Sequence, residues 1–264
     1  MGILDLTPER AAIVRRLNQA GITVVAWLLL PEEEGYSLNS GNGARAIERY
    51  IAIKKWAADN QLVFKGIGIE LEFDDKNTKL IMGNTWKWIR GIPGRLYKKS
   101  VLEDGREQYA KLTRMIKEDG YFSETYYVPF IKDEAAENRT SLQLVTGLPD
   151  IRADREIPML YSSYFGLGDG LIQVYGFNAN AKFVALGSTE AGTDTTYIKS
   201  GILEYEELVR DMNLAAKKME EIHIYNLEGC VQNGYLRKLL DYRYDSSLFI
   251  NQDEVNDIKE IRDK

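Results

Sequence analysis

The chain has 264 residues, of which 44% are hydrophobic and 28% are charged, and its formal net charge is -6 at pH 7. This length and composition predict a globular protein with one large core. The negative net charge argues against a nucleic-acid partner, because such binding depends on clustered Lys and Arg side chains that release counterions from phosphate.

Two residue types that often build functional sites occur once each, as Cys230 and His223. A single cysteine excludes an intrachain disulfide and a zinc site built on cysteines, and a single histidine excludes a histidine-cluster metal site. We expect no metal and no other cofactor. Both residues are predicted to be structural, because apolar residues flank His223 and no activating base stands near Cys230 in the sequence.

The chain opens with a predicted helix and a predicted strand. Thr7-Pro8-Glu9 supplies an N-cap, a proline at the first helical position and an acidic first turn, and the helix ends at Gly21. Residues 22–30 are apolar on both faces, which is typical of a central parallel strand, and Trp27 within them is a candidate substrate contact. Because a (β/α) barrel begins with a strand, either a first strand precedes Met1 or the opening helix caps the barrel.

The longest apolar stretch of the sequence is this same segment, 22–30. It is far shorter than the ~20 residues that a helix needs to span a bilayer. The first residues also lack the layout of a signal peptide. We therefore expect no membrane span in this chain, and a cytoplasmic location is the default expectation.

Residues 31–43 form a long connection with three consecutive glutamates. Long loops at the ends of barrel strands often carry function, while a solvated acidic surface loop is the alternative interpretation. From 44 to 60, apolar residues recur at helical spacing, so a helix is predicted to lead the chain to its next strand. Strand, helix and strand of this length form a βαβ unit.

The strand predicted at 65–74 has two different faces. One is apolar, and the other begins with two glycines and ends with two carboxylates. This alternation is typical of a barrel strand whose outer face packs on helices and whose inner face opens into a site at its C-terminal end. The apolar face consists of Ile67, Ile69, Leu71 and Phe73, and the other face of Gly66, Gly68, Glu70 and Glu72.

The second half of the sequence continues the alternation of strands and helices. Residues 75–120 are predicted to be helical, with breaks at 91–94 and 103–105. The glycine-rich turn at 166–170 is not read as a phosphate-binding loop, because residues 171–177 are predicted to be extended rather than helical. The other predicted strands are 122–130, 157–164, 183–188 and 221–228, and the other predicted helices are 133–145, 203–219 and 235–242.

This order predicts an α/β protein with a (β/α)8 TIM-barrel-like fold, incomplete at its N-terminus if the first strand precedes Met1. An open, doubly wound sheet is the alternative architecture. We predict one barrel domain over residues 1–245, followed by a charged C-terminal tail at 246–264.

Carboxylates end two of the predicted strands, Glu70 and Glu72 on one and Glu228 on another. In a closed barrel they would meet at one mouth. Two carboxyl groups held several Å apart, one protonated and one ionised, are the apparatus of glycosidic bond cleavage. We therefore take Glu70, Glu72 and Glu228 as candidate catalytic residues. The candidate substrate-binding residues are Trp27, Tyr126, Tyr161 and Asn226.

The segment Gly68-Ile69-Glu70-Leu71-Glu72 resembles the strand motif of the chitinase-like and lysozyme-like barrel glycosidases, in which an Asp-x-Glu pair closes a glycine-containing strand. This chain has Glu70 where that family has Asp. The resemblance implies a hydrolase with Glu72 as proton donor, Glu70 as its partner and Glu228 as the second carboxylate. It also implies sugar contacts from tyrosines such as Tyr126 and Tyr161.

Two alternatives remain open. The same strand is similar to the Glu-x-Asp strand of the glycerophosphodiester phosphodiesterases, which implies a Mg²⁺ or Ca²⁺ site formed by Glu70, Glu72 and Asp74. The other alternative is a barrel that binds a saccharide or a protein without catalysis. Under the glycosidase hypothesis, the partner of this protein is a small-molecule or oligosaccharide substrate.

Overall fold

The structure is a computed structural model, and it describes residues 1–72, 98–165, 170–178, 182–190 and 201–243. The chain divides into two compact units. Unit 1 comprises Met1–Tyr127 and Glu134–Glu156, and unit 2 comprises Val128–Asp133 and Ile157–Lys264. The single domain expected over 1–245 stays a prediction, and the expected tail at 246–264 lies outside the described residues.

The described residues contain seven strands and ten α-helices, which alternate along much of the chain. The strands are β1 (Gly2–Ile3), β2 (Val25–Leu28), β3 (Gly66–Glu70), β4 (Phe122–Tyr127), β5 (Arg155–Pro158), β6 (Phe183–Gly187) and β7 (Glu221–Tyr225). The helices are α1 (Pro8–Gln19), α2 (Gly43–Asp59), α3 (Lys99–Glu118), α4 (Pro129–Ala136), α5 (Ser141–Thr146), α6 (Ser162–Phe165), α7 (Gly170–Asn178), α8 (Tyr205–Ala215), α9 (Leu227–Gln232) and α10 (Tyr235–Leu240).

The strands form two sheets, one with the order β1-β2-β3-β4-β5 and one that pairs β6 with β7. The pairs β1–β2, β2–β3, β3–β4 and β6–β7 are all parallel. Parallel neighbours joined through helices are the pattern of (β/α) proteins, because a parallel pair needs a crossover connection. The predicted α/β class with a (β/α)-type fold is therefore confirmed.

The chain begins with a strand, so the prediction of a helix-first order was wrong. Gly2 pairs with Trp27 and Ile3 pairs with Leu28, both in parallel register. The amino group of Met1 donates a hydrogen bond to the Val25 carbonyl over 3.0 Å. Two residues are too few to show any periodicity in the sequence, which is why β1 was missed.

Helix α3 runs without a break through 103–105, where the sequence predicted one. Gly105 lies within this helix. The backbone at Ser40 passes so close to it that there is no room for a side chain. A Cβ atom on Gly105 would lie 2.8 Å from both the Cα and the carbonyl oxygen of Ser40. The glycine is thus a packing residue rather than a helix breaker.

Two further predictions failed in unit 2. Residues 171–177, expected to be extended, belong to helix α7. Its side chains Leu171, Ile172, Val174 and Tyr175 are all buried, so the run is apolar all round and shows no period that separates strand from helix. The strand predicted at 157–164 corresponds to β5, which ends at Pro158, and α6 starts at Ser162. The glycine turn at 166–169 lies outside the described residues.

The strands of unit 1 divide their residues between two faces. Ala26, Leu28, Ile67 and Ile69 are at most 2% exposed and share the apolar face. The opposite face carries Trp27 of β2, which pairs with Gly68 of β3. The sequence alternation of β3 therefore predicted the correct division.

Unit 2 divides its strands in the same way. Val184, Leu186 and Ile222 belong to an apolar cluster that also includes α7 residues. The alternate residues of β7 are polar or aromatic, namely Glu221, His223 and Tyr225. His223 forms a hydrogen bond with Glu221 over 3.0 Å. No helix within the described residues is long and apolar enough to cross a membrane.

Arg49 of α2 ties the ends of β1 and β2 together. Its Nε donates to the Leu29 carbonyl over 2.9 Å, and its Nη2 donates to the carbonyls of Ile3 and Leu4 over 2.9 and 2.7 Å. These carbonyls belong to the last residue of β1 and to the residues that directly follow β1 and β2. The single guanidinium of Arg49 thus donates the hydrogen bonds that these backbone carbonyls need at the strand ends.

We expect Arg49→Met to lower the free energy of unfolding by about 1.5–3 kcal/mol, because hydrogen bonds from a charged donor are lost. Arg45→Met is the matched control. Arg45 is exposed on the same helix and donates one hydrogen bond, to the Glu34 carbonyl over 3.2 Å, so its loss should change stability by less than about 0.5 kcal/mol. Urea unfolding measures both variants, and equal losses would contradict the role given to Arg49.

Gly105→Ala should destabilise the protein by about 1–3 kcal/mol, because the new methyl group meets the backbone of Ser40. Helix propensity alone predicts the opposite sign, a gain of roughly 0.5–1 kcal/mol. Ala110→Gly, at an exposed position of the same helix, measures that propensity term alone. A stabilised Gly105→Ala variant in thermal or urea unfolding would show that Ser40 does not approach this helix.

Candidate active site

The candidate site of unit 1 lies where β3 ends. Glu70 is the last residue of β3, and Glu72 follows two residues later. Beyond the strand, Leu71 forms a parallel bridge with Leu38, and the Glu72 N–H donates to the Leu38 carbonyl over 3.0 Å. The loop after β2 therefore continues the sheet beside β3. Phe73 and Asp74, expected in the same strand, lie outside the described residues.

The loop at 31–43 is an ordered part of the site rather than a solvated acidic surface loop. Residues Ser37 to Ser40 are buried. The Asn42 side-chain amide donates to the Ser37 carbonyl over 2.8 Å, and the buried Tyr109 hydroxyl donates to the Asn39 carbonyl over 3.0 Å. Residues 32–35, with Glu32–Glu34, and Gly41 are the exposed positions of the loop. The loop can thus hold a side chain at a fixed place beside β3.

Ser37 is the side chain that this loop places against Glu72. Its hydroxyl donates a hydrogen bond to Oε2 of Glu72 over 2.8 Å. A hydrogen bond to a carboxylate oxygen favours the ionised form of the acid. Ser37 is only 4% exposed, so the donor is fixed by packing. Sequence reasoning missed it, because a serine in a long polar loop carries no specific signal.

Glu70 has the opposite electrostatic environment. Burial raises the pKa of Glu70 well above its ordinary value, and the neighbouring Glu72 carboxylate raises it further. Two carboxyl groups in one site cannot both ionise freely, so one keeps its proton. The two carboxyl groups therefore differ in environment: the pKa of Glu70 is raised, while Glu72 accepts a hydrogen bond from Ser37.

Tyr36 adds a neutral hydroxyl beside these acids. Burial raises the pKa of Tyr36, and the charges of Glu72, Glu70 and Glu32 raise it further. The hydroxyl therefore remains a hydrogen-bond donor over the whole ordinary pH range. Its backbone has φ +52°, in the left-handed region that non-glycine residues rarely adopt and that clusters at functional sites.

The strand β4 supplies the residues next to Glu70. Parallel register pairs Glu70 with Tyr126 and Gly68 with Glu124. The Tyr126 hydroxyl donates to Oε2 of Glu124 over 3.2 Å, so the Tyr126 side chain points toward the N-terminal end of β4. Its ring covers Gly68, where an added Cβ would lie 3.6 Å from Cε2 of Tyr126. The predicted sugar contact of Tyr126 would therefore come from its ring.

Glu124, on the strand next to β3, forms an ion pair with Arg155. Glu124 is 1% exposed, and Nη1 of Arg155 lies 3.2 Å from its Oε1. The Arg155 guanidinium also lies over the Phe122 ring, 4.1 Å from its centroid. A buried carboxylate needs such a partner, because removing it from water is costly. Sequence reasoning missed Glu124, because it stands between two hydroxyl residues in a strand that shows no other unusual feature.

The structure brings four of the predicted site residues onto one face of unit 1: Trp27, Glu70, Glu72 and Tyr126. The other three, Tyr161, Asn226 and Glu228, belong to unit 2. Convergence of Glu228 with Glu70 and Glu72 stays a prediction.

The position expected for Glu228 needs correction. The last strand ends at Tyr225 rather than at 228. Asn226 caps helix α9 by accepting a hydrogen bond from the Gly229 N–H over 2.8 Å, which turns the chain out of the extended conformation. Glu228 therefore lies in the first turn of α9, where it is exposed.

Comparison with known proteins gives similarity only at the level of structure. No protein-family model matches the chain, and no curated protein matches it significantly. The crystal structure of D-allulose 3-epimerase from Methylomonas sp. is 11% identical, with a TM-score of 0.44, and the match covers 99% of this chain and 85% of that chain. L-ribulose 3-epimerase is 11% identical, with a TM-score of 0.41 over 96% of this chain and 78% of that chain.

A third similar structure is dihydropteroate synthase from Thermus thermophilus. It is 9% identical, with a TM-score of 0.33, and the match covers 91% of each chain. Two of the three proteins are named as sugar epimerases and none as a glycoside hydrolase, so the resemblance to glycosidases gains no support from them. The function proposed below rests on the residues of the site.

The raised pKa of Glu70 predicts a pH-dependent stability. The folded state holds this proton at pH values where the unfolded chain, with an ordinary Glu pKa of about 4.3, has lost it. The stability contributed by protonated Glu70 is therefore complete below about pH 4.3 and is lost as the pH rises through the folded-state pKa. Glutamine does not titrate, so Glu70→Gln lacks this loss of stability. The unfolding free energy of the variant minus that of wild type should therefore increase from pH 4 to pH 8.

Urea unfolding at several pH values measures this difference. Glu33→Gln is the control, because Glu33 is exposed in the loop that contacts the site, and it should follow the wild-type pH dependence. Parallel curves for Glu70→Gln and wild type would show that Glu70 titrates as an ordinary carboxylate.

Proposed function

We propose that this protein is a carbohydrate-processing enzyme that works by carboxylate acid–base chemistry. The observation that carries the proposal is the pair at the end of β3, a half-buried Glu70 whose pKa is raised beside Glu72, which accepts a hydrogen bond from Ser37. General acid–base catalysis needs one group that donates a proton and one that accepts or stabilises charge. The roles expected from the sequence are thereby exchanged, with Glu70 as the acid.

For cleavage of a glycosidic bond, protonated Glu70 donates its proton to the leaving oxygen. Glu72, as a carboxylate, stabilises the positive charge that develops on the sugar ring. Water then adds to the anomeric carbon and gives a proton back to Glu70. Tyr36 donates a hydrogen bond to a substrate hydroxyl, and the Tyr126 ring packs against the sugar. The half-buried Trp27 ring, on the strand next to β3, offers a second apolar surface for the sugar.

Proton transfer within a free sugar is the second candidate reaction. One observation favours it: Glu70 and Glu72 stand two residues apart on the same side of one chain segment, so they approach a substrate from the same side. Hydrolysis needs a group on the side of the ring opposite the acid. Enolisation of a ketose or aldose instead needs an acid at the carbonyl oxygen and a base at the adjacent carbon, and one side can supply both.

Two assays separate these reactions. Release of 4-nitrophenol from a panel of 4-nitrophenyl glycosides reports glycosidic cleavage. Deuterium uptake by free aldoses and ketoses in D₂O, followed by NMR, reports proton transfer. Bis(4-nitrophenyl) phosphate, with and without a chelator, tests the metal-dependent phosphodiesterase alternative, in which the chelator abolishes activity and Mg²⁺ restores it.

We expect Glu70→Gln to lower kcat by about 10²–10⁴-fold, because the amide cannot donate a proton as an acid does. Glu72→Gln should lower kcat by a similar factor, and Glu33→Gln should leave it unchanged. Wild-type activity should fall as the pH rises through the pKa of Glu70. Full activity of Glu70→Gln in both sugar assays, or no activity of the wild type in either, would refute the proposed function.

A further inference from the structure

The C-terminal ends of the unit 2 strands carry a second group of polar and aromatic residues. Gly187 ends β6 and pairs with Tyr225, which ends β7. Tyr161 lies two residues beyond Met159, whose bridge partner Ala185 lies two residues before Gly187. The rings of Tyr161 and Tyr225 stack at a centroid distance of 5.7 Å and an angle of 21°. Gly187 has no side chain to separate them.

All four polar atoms of Asn226, the residue after Tyr225, form hydrogen bonds within the protein. Its N–H donates to Oγ1 of Thr189 over 2.9 Å, and its carbonyl accepts from the same hydroxyl over 2.8 Å. Its Oδ1 accepts from the Gly229 N–H over 2.8 Å. The fourth atom, Nδ2, donates to Oε2 of Glu190 over 2.6 Å. Asn226 is therefore held by the protein itself and has little capacity left for a ligand.

The position of Thr189 is fixed as well. Its carbonyl accepts a hydrogen bond from the Asn233 side chain over 2.8 Å. A Cβ atom on Gly229 would lie 2.2 Å from the Thr189 carbonyl oxygen, so this close approach requires glycine. The Ser188 hydroxyl donates to the Glu190 carbonyl over 2.6 Å. Backbone and side-chain contacts thus fix the two residues that precede Glu190.

Glu190 itself is half-exposed. Asn226 binds its Oε2, and no donor from the described part of the chain contacts its Oε1. One oxygen of this carboxylate is thus held in place, and the other accepts no hydrogen bond from the described residues. A protein carboxylate fixed in this way is preorganised to accept hydrogen bonds, since no side-chain entropy is lost when a ligand binds.

We propose that Glu190 binds the hydroxyl groups of a sugar or a similar polyol, and that Asn226 is the residue that positions it. Tyr225, the half-buried residue before Asn226, stacks on the buried Tyr161, and its ring supplies the apolar surface for a sugar. A few convergent polar groups beside aromatic rings are the usual composition of a small-ligand site. A carboxylate oxygen accepts from neighbouring hydroxyls, which favours polyhydroxylated ligands over anions.

This assignment depends only on unit 2, so it is independent of the acid–base reaction proposed for Glu70. It also replaces two expectations from the sequence. Asn226 acts through Glu190 rather than by direct contact, and Glu190 rather than the exposed Glu228 is the carboxylate that meets the ligand.

Binding of D-glucose, D-xylose, D-fructose and cellobiose to the full chain tests the proposal, by saturation-transfer NMR and titration calorimetry. For the sugars that bind, Glu190→Gln should weaken affinity about 10- to 100-fold, the loss expected for hydrogen bonds to a charged group. Glu228→Gln is the matched control, since it removes an exposed carboxylate only two residues from Asn226, and it should bind as wild type does.

Asn226→Asp tests the positioning role. Aspartate keeps an oxygen for the Gly229 N–H, but it places a second carboxylate against Glu190 in place of a donor. Sugar affinity of this variant should be lost near pH 7 and should recover as the pH falls and one carboxyl becomes protonated. A purely structural role of Asn226 predicts no such recovery. Equal affinity of Glu190→Gln and wild type, or no binding of any of the four sugars, would overturn the proposal.

Discussion

The parallel register of β2, β3 and β4 is the constraint on which unit 1 depends. It places Gly68 between Trp27 on one neighbour and Glu124 on the other. Both neighbours are large, and the Tyr126 ring also lies over the glycine. A Cβ atom at 68 would lie 3.6 Å from both the Trp27 Cα and Cε2 of Tyr126, which is ordinary van der Waals contact. The Tyr126 ring thus packs directly on the backbone of β3.

The buried charge of Glu124 makes this register specific. A slip of one residue along β4 would turn Glu124 to the apolar face, because side chains alternate between the faces of a strand. There it would lose Arg155, and an unpaired buried charge costs several kcal/mol. The ion pair contributes little net stability compared with apolar residues of the same size, but it excludes the wrong pairing. The same register places Tyr126 beside Glu70.

The sequence predicted the features of this protein that depend on local periodicity. The alternation of β3 identified its two faces and placed Glu70 and Glu72 on one of them. The long helices α1, α2 and α8 were predicted within a few residues. Features that depend on contacts between distant residues were missed, because they leave no local pattern. Gly105 was taken as a break because its neighbour Ser40 is 65 positions away, and Ser37 and Glu124 had no signal of their own.

Apolar runs were the other source of error. Residues 171–175 of α7 are all buried, and a helix buried all round has no exposed polar face from which its period can be read. Glu228 was misplaced for a different reason. The strand pattern of β7 continues through Tyr225, and a single side-chain cap by Asn226 then starts a helix. Hydrophobic periodicity does not record such a cap.

Each unit positions a carboxylate by the same physical means. Glu72 follows β3, and its donor Ser37 follows the neighbouring strand β2. Glu190 follows β6, and its donor Asn226 follows the neighbouring strand β7. In both cases the donor and the acceptor stand on adjacent connections at the C-terminal ends of paired strands. The distance between them is therefore set by the ladder, whose strand spacing is fixed at about 4.8 Å. A carboxylate held in this way keeps its position although it stands on a loop, which is the requirement for a site whose chemistry depends on small distances.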